Sequence, residues 1–187
     1  MKKSQLRANY KTLRKELSSK QVDVLSLKIA NTVLKLPIWG YSFFHVFLTI
    51  DLLKEVLTDP ILSILSGKDK HIVVSKSDFK TRTMSHVLLQ DNTILKLNSW
   101  NIPEPENGIP ISNEQIEVVF IPLVAFDVRG NRVGYGKGFY DKFLKNCSKD
   151  TLKIGLSFFE AETTIDGIEP HDIPLDYCIT PDKIYKF

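Results

Sequence analysis

Cysteine is almost absent from this chain: Cys147 and Cys178 are the only two among 187 residues, far apart and in no CxxC pair. A disulfide framework and a thiolate metal site are thereby excluded, and reduced thiols are expected. The four histidines, His45, His71, His86 and His171, stand singly, so no spaced ligand set for a metal is visible either. Long apolar runs are also missing. The most continuous stretch, residues 118–126, is interrupted by Pro122 and is far shorter than the roughly 20 residues a membrane span requires. No apolar segment follows the basic N-terminus, which therefore reads as no signal peptide; a soluble, cytoplasmic protein is expected. Internal repeats and low-complexity tracts are lacking. So are two common nucleotide signatures, the GxxxxGK[ST] loop and a well-spaced dinucleotide fingerprint.

What is present suits one buried core. Hydrophobic residues make up 43% and charged residues 25%, as in ordinary soluble domains, and the length fits a single domain over residues 1–187 better than two. The formal charge is only +3, but it is unevenly placed. Residues 1–20 hold seven basic side chains and one acidic one, which leaves 18 − 21 = −3 for the rest. A basic charge gathered on one short element points towards an anion.

That element is helical over residues 3–18, with Leu6, Tyr10, Leu13 and Leu17 as its apolar seam. Lys3, Arg7, Lys11 and Arg14 form a stripe beside it; this is either a solvated face or a row of long stems presenting cations to a cleft. Ser18 or Ser19 caps a second helix that runs to about Leu36 and stops at Pro37. Strands are predicted at 43–48, 71–75, 118–121 and 152–157. A helix begins near Thr58-Asp59-Pro60, a hairpin over 86–97 turns at Asp91-Asn92, and a proline-rich loop covers 101–113. A further helix spans about 137–146, and a last strand lies within 171–180. Strands alternating with helices give an α/β fold: a three-layer α/β/α domain with a mostly parallel central sheet.

The segment Arg132–Asp141, RVGYGKGFYD, follows the buried strand and opens a helix. Gly134, Gly136 and Gly138 free the backbone for positive φ, so that successive N–H groups can converge on phosphate oxygens. Arg132 and Lys137 add a planar fork and a point charge. Glycine-rich turns of this kind also occur without any ligand, so the spacing alone is weak. Asp141 is placed either to favour the helix dipole or to hold Mg²⁺, which takes carboxylate, phosphate and water oxygens. Phe139 and Tyr140 offer a flat wall to a planar ligand.

At this point the chain resembles a known family. Residues 121–144, IPLVAFDVRGNRVGYGKGFYDKFL, are similar to the signature of the 5-formyltetrahydrofolate cyclo-ligases. Lys3-Ser4-Gln5-Leu6-Arg7 resembles the family's K-x-x-L-R element, Ser99–Pro105 its W-x-I-P-x-P segment, and His171–Asp176 its H-D-x-x-x-D. The resemblance implies ATP- and Mg²⁺-dependent conversion of 5-formyltetrahydrofolate, with or without a polyglutamate tail, to 5,10-methenyltetrahydrofolate, releasing ADP and phosphate. It places Lys3, Arg7 and the loop Arg132, Gly134, Tyr135, Gly136, Lys137, Gly138, Phe139 and Tyr140 on ATP, with Lys137, Arg7 and Lys3 catalytic. Asp141 and Asp172 would hold Mg²⁺, with Asp176 a rival for the second position. Ile50, Glu55, Met84 and Trp100 would line the folate site with Phe139 and Tyr140. Asp51 competes with Glu55, and Ser75 stands where the family often has proline.

The implied enzyme is a monomer that engages neither nucleic acid nor membrane. Two other classes compete with it: an RNA-binding module built on the basic helix, and a nucleotide sensor that keeps the loop without the transfer step. The acidic remainder of the chain disfavours the first.

Overall fold

A computed structural model describes all residues, 1–187. Its first helix, α1 (Lys3–Glu16), is followed by α2 (Ser19–Val33), which Ser18 caps: its side chain accepts from the Gln21 amide at 3.2 Å. Pro60 in the first turn starts α3 (Asp59–Gly67). The last helix, α4 (Phe139–Lys145), is two turns long.

The central sheet contains seven strands. In chain order these are β1 (Phe43–His45), β2 (His71–Asp78), β3 (Thr83–Leu88), β6 (Val118–Pro122), β9 (Leu152–Leu156), β10 (Tyr177–Ile179) and β11 (Ile184–Lys186). Two small antiparallel pairs lie outside it: β4 (Leu95–Leu97) with β5 (Pro103–Pro105), and β7 (Ala125–Phe126) with β8 (Arg132–Val133). The order across the sheet is β11-β10-β9-β6-β1-β2-β3. The four internal pairings are parallel and both edge pairings antiparallel, so the mixed α/β fold with a mostly parallel sheet is as expected.

Alternation along the strands separates two cores. Phe44, Val118, Phe120, Ile154 and Leu156 point into a cluster closed by α2 and α3. Val73, Val119, Ile121 and Cys178 point the other way, where Phe143 and Leu144 of α4 cover them. Both faces of β6 are therefore buried, and its near-continuous apolar sequence follows from that. A third cluster joins Leu6 and Tyr10 of α1 to Ala125 and Val133 of the β7–β8 pair.

Several expected elements are corrected. The hairpin over 86–97 does not form: β3 pairs back onto β2, and β4 pairs with β5. The real turn lies at residues 79–82, where the Asp78 carboxylate accepts from the amides of Lys80 (2.8 Å) and Thr81 (3.3 Å) and Arg82 takes φ 53°. An Asx-type turn of this kind needs neither glycine nor proline, the signals sought. The proline-rich loop contains a strand, β5, and the chain ends in a strand, β11, beyond the last one expected. In α1, Leu13 is 40% exposed and Arg14 only 6%. The buried face runs Leu6-Tyr10-Arg14, because the Arg14 guanidinium finds acceptors inside: the Leu123 carbonyl at 2.6 Å and the Tyr135 hydroxyl at 2.7 Å.

Candidate functional site

From β1 the chain moves to β2 and β3 on one side, then returns to β6 and continues to β9 and β10 on the other. The strand order therefore reverses between β1 and β6. In open α/β sheets the crevice beyond the carboxyl ends of the strands at such a point is the place for a ligand. A cavity of about 440 Å³ lies there, reached by Phe47 and Leu48 after β1, Pro122 of β6, and Ser75 and Ser77 of β2. Every residue anticipated at the site lines this one cavity: Lys3, Arg7, Ile50, Glu55, Met84, Trp100, Arg132, Gly134 through Asp141, and Asp172.

Its cationic side is built by α1 and the glycine loop. The Arg7 Nε donates to the Gly134 carbonyl at 2.8 Å. Gly136 has φ 88°, and a Cβ there would meet the Arg7 guanidinium carbon at 3.2 Å, so this position needs glycine for both conformation and space. Gly138, at φ 73°, caps α4. Gly134, in contrast to the expectation for all three glycines, does not adopt positive φ. Arg132 is buried and pairs with Asp141 at 2.7 Å, while its second amino nitrogen has no partner. Lys3 pairs with Asp172. Burial pushes the Asp172 carboxyl up, but the Glu169 amide and the Lys3 ammonium hold it, on balance, below the ordinary carboxylate value.

Two carboxylates thus share the cavity with Arg132 and Lys3, and no group of three or more His, Cys, Asp or Glu side chains surrounds them. A closed protein cage for a cation is absent. The set does fit Mg²⁺, which is commonly held by one or two carboxylates together with phosphate oxygens and water. The unpartnered Arg132 nitrogen, buried in the cavity wall, fits an oxygen-rich anion beside it. Asp176 lies elsewhere: its carboxylate accepts from the Lys153 amide and pairs with the Lys153 ammonium, both at 2.8 Å.

The rest of the lining adds an acidic and aromatic group. Glu55 is 2% exposed; one oxygen accepts from the Ile50 amide at 2.8 Å and the other from the Tyr135 hydroxyl at 2.6 Å. Asp51 sits on a short 3-10 turn, exposed and off the cavity wall. Burial raises the Glu55 carboxyl above its ordinary 4.5, opposed by Tyr135, Ile50 and Arg14. The glycine loop and Glu55 are therefore physically joined through Tyr135, which was anticipated only as a phosphate-loop residue. Trp100, 62% exposed, stacks on Phe79 at 5.6 Å, and Phe79 meets Phe139 edge-on at 5.2 Å. Phe79 was missed because a lone aromatic in a turn carries no pattern; only packing reveals it.

The raised Glu55 has a consequence for stability. Between 4.5 and its folded value, the folded protein keeps a proton that the unfolded chain has lost. Wild-type stability therefore falls as pH rises across that interval. Glu55→Gln, with nothing to titrate there, is expected to lack this decline when melting temperatures are compared from about pH 4.5 to 7. Parallel curves for the two proteins would contradict the shift.

Comparison with known proteins places the chain in a family. A sequence model of the 5-formyltetrahydrofolate cyclo-ligase family matches residues 1–181. A probable 5-formyltetrahydrofolate cyclo-ligase of Schizosaccharomyces pombe is 27% identical over 202 aligned positions, covering 100% of this chain and 98% of that protein. The 5-formyltetrahydrofolate cyclo-ligase of Escherichia coli K12 is 31% identical, covering 76% and 79% respectively. The solved structure of Aquifex aeolicus 5,10-methenyltetrahydrofolate synthetase superposes with a TM-score of 0.82 at 26% identity, over 100% of this chain and 93% of that one. With its switch-point cavity and its matched length, the chain belongs to the 5-formyltetrahydrofolate cyclo-ligase family of enzymes.

Proposed function

We propose that this enzyme converts 5-formyltetrahydrofolate to 5,10-methenyltetrahydrofolate at the expense of ATP, with release of ADP and phosphate. The observation that carries the reading is one cavity lined both by the cations Arg7, Arg132 and Lys137 and by Glu55, Phe79 and Trp100. Such a cavity suits two different substrates brought face to face.

An N-formyl carbon is unreactive because the nitrogen lone pair delocalises onto its oxygen. The formyl oxygen attacks the γ-phosphorus and ADP leaves, so the oxygen becomes a phosphate ester. N10 of the same folate then adds to the carbon and loses its proton. Breaking the C–O bond expels phosphate and leaves the cyclic methenyl cation. No covalent nucleophile is required of the protein, only alignment and charge neutralisation.

Arg7 and Lys137 offset the charge on the transferring group, and Lys3 and Arg132 hold Asp172 and Asp141 in position. Asp141 and Asp172 would hold Mg²⁺, which would supply further charge neutralisation. Glu55 accepts from the donor edge of the pterin, and the Phe79–Trp100 stack flanks the ring.

The test is spectrophotometric. Folded protein mixed with Mg-ATP and 5-formyltetrahydrofolate is expected to generate the absorbing methenyl product. Adding excess EDTA should reduce the rate to background, and restoring Mg²⁺ should recover it. Absence of product with Mg-ATP present would overturn the reading; ATP binding without folate-dependent ADP release would identify a nucleotide sensor instead.

A further inference from the structure

At the cavity wall a half-buried serine meets a buried histidine, a polar pair that the reaction above does not use. Ser75 and Ser77 alternate along β2 and, with Phe79 of the following turn, line the cavity. Ser75 lies opposite His86 in the β2–β3 ladder, and His45 of neighbouring β1 completes the group. The His45 Nε2 is 2.6 Å from the Ser75 Oγ. His45 is fully buried, enclosed by the rings of Phe143 (5.1 Å), His86 (5.4 Å) and Tyr140 (5.9 Å).

We propose that Ser75 is a folate-recognition residue, and that His45 positions its hydroxyl to accept a hydrogen bond from an N–H group of the substrate's heterocycle. This deepens the functional reading given above and rests on it.

The polarity follows from the surroundings of His45. Desolvation, reinforced by His86, holds the ring far below its ordinary pKa, so the imidazole is neutral and carries a single N–H. The Phe120 main-chain carbonyl is the group near the ring that favours a proton on it, although Nδ1 makes no hydrogen bond of full geometry. We assign the imidazole proton to Nδ1, the nitrogen that does not face Ser75, and Nε2 is then the acceptor. The Ser75 hydroxyl then donates to Nε2 and turns its free lone pairs to the cavity. No carboxylate supports His45 from behind, and so weak a base does not remove the serine proton. The pair is built to orient a hydroxyl, not to generate a nucleophile.

With Ser75 held as an acceptor and Glu55 an acceptor as well when ionised, the wall favours a ligand edge rich in N–H donors, as a tetrahydropterin is.

Calorimetric titration of 5-formyltetrahydrofolate into wild type, Ser75→Ala, His45→Phe and the double variant tests this, with thermal melts confirming that each is folded. The expected result is a Kd raised roughly five- to tenfold in Ser75→Ala, with the affinity for Mg-ATP within twofold of wild type. His45→Phe should show a similar rise, and the double variant should be no worse than Ser75→Ala, because His45 acts only through Ser75. Should His45→Phe fail to fold, Ser75→Ala decides alone. An unchanged folate Kd in Ser75→Ala, or an equal loss of ATP affinity, overturns the proposal. Since the readout is binding, it is separable from turnover: wild type that binds folate but forms no product would sink the functional reading and leave the role of Ser75 to be judged on Kd.

Discussion

Lys137→Ala is expected to lower turnover by at least about tenfold, with little change in the KM for folate. The reason is the distribution of charge around the cavity. Of its cations, Lys3 is committed to Asp172 and Arg132 to Asp141. Arg7 and Lys137 have no carboxylate partner, and Arg7 is already held by the Gly134 carbonyl. Lys137 is the exposed, uncommitted one, on a loop whose shape depends on Gly136 and Gly138 at either side. A point charge of this kind contributes most when negative charge spreads over the equatorial oxygens of a transferring phosphoryl group, so its loss appears in kcat more than in ground-state binding. Lys137→Arg should recover part of the rate, since charge is kept while the geometry changes. Steady-state kinetics with each substrate varied in turn provides the check; a Lys137→Ala enzyme with near wild-type kcat would remove this residue from the catalytic set.

How far the site could be read in advance depends on the kind of signal each residue leaves. The glycine loop is legible because φ 88° at Gly136 and φ 73° at Gly138 demand a residue type that shows in the sequence. Both faces of β6 are legible for a similar reason: a strand covered on each side must be apolar throughout. Arg14 misleads because helical periodicity sorts residues by polarity, whereas its burial is decided by two acceptors more than 100 positions away, Leu123 and Tyr135. The same holds for His45 and Ser75. They lie 30 residues apart and meet only through the parallel β1–β2 register. The turn after β2 failed for a local reason: Asp78 and Arg82 do the work usually assigned to glycine. Motifs of backbone necessity are therefore visible in one dimension, while polar pairs made by tertiary contact are not.

The link between Glu55 and Tyr135 is such a pair, and it carries the other large effect. Glu55→Ala is expected to raise the folate KM at least about tenfold, because a desolvated carboxylate makes charge-assisted hydrogen bonds about twice as strong as neutral ones. It should also raise the KM for ATP, since Tyr135 would lose the acceptor that ties the glycine loop to Glu55 at 2.6 Å. Arg14, which donates to the same hydroxyl at 2.7 Å, would then be the loop's remaining anchor on that side. Tyr135→Phe leaves the proposed pterin contact of Glu55 in place but removes the hydroxyl that both Glu55 and Arg14 engage, so the ATP KM should rise while the folate KM moves less. In Glu55→Ala/Tyr135→Phe the ATP KM should match that of Tyr135→Phe alone, because that substitution already removes the bond to Glu55 together with the one from Arg14. Asp51→Ala, altering an exposed side chain off the cavity, should behave as wild type for both substrates. Additive ATP effects in the double variant would show that the loop is held in place independently of Glu55, and impairment in Asp51→Ala with an intact Glu55→Ala enzyme would move the pterin contact to Asp51.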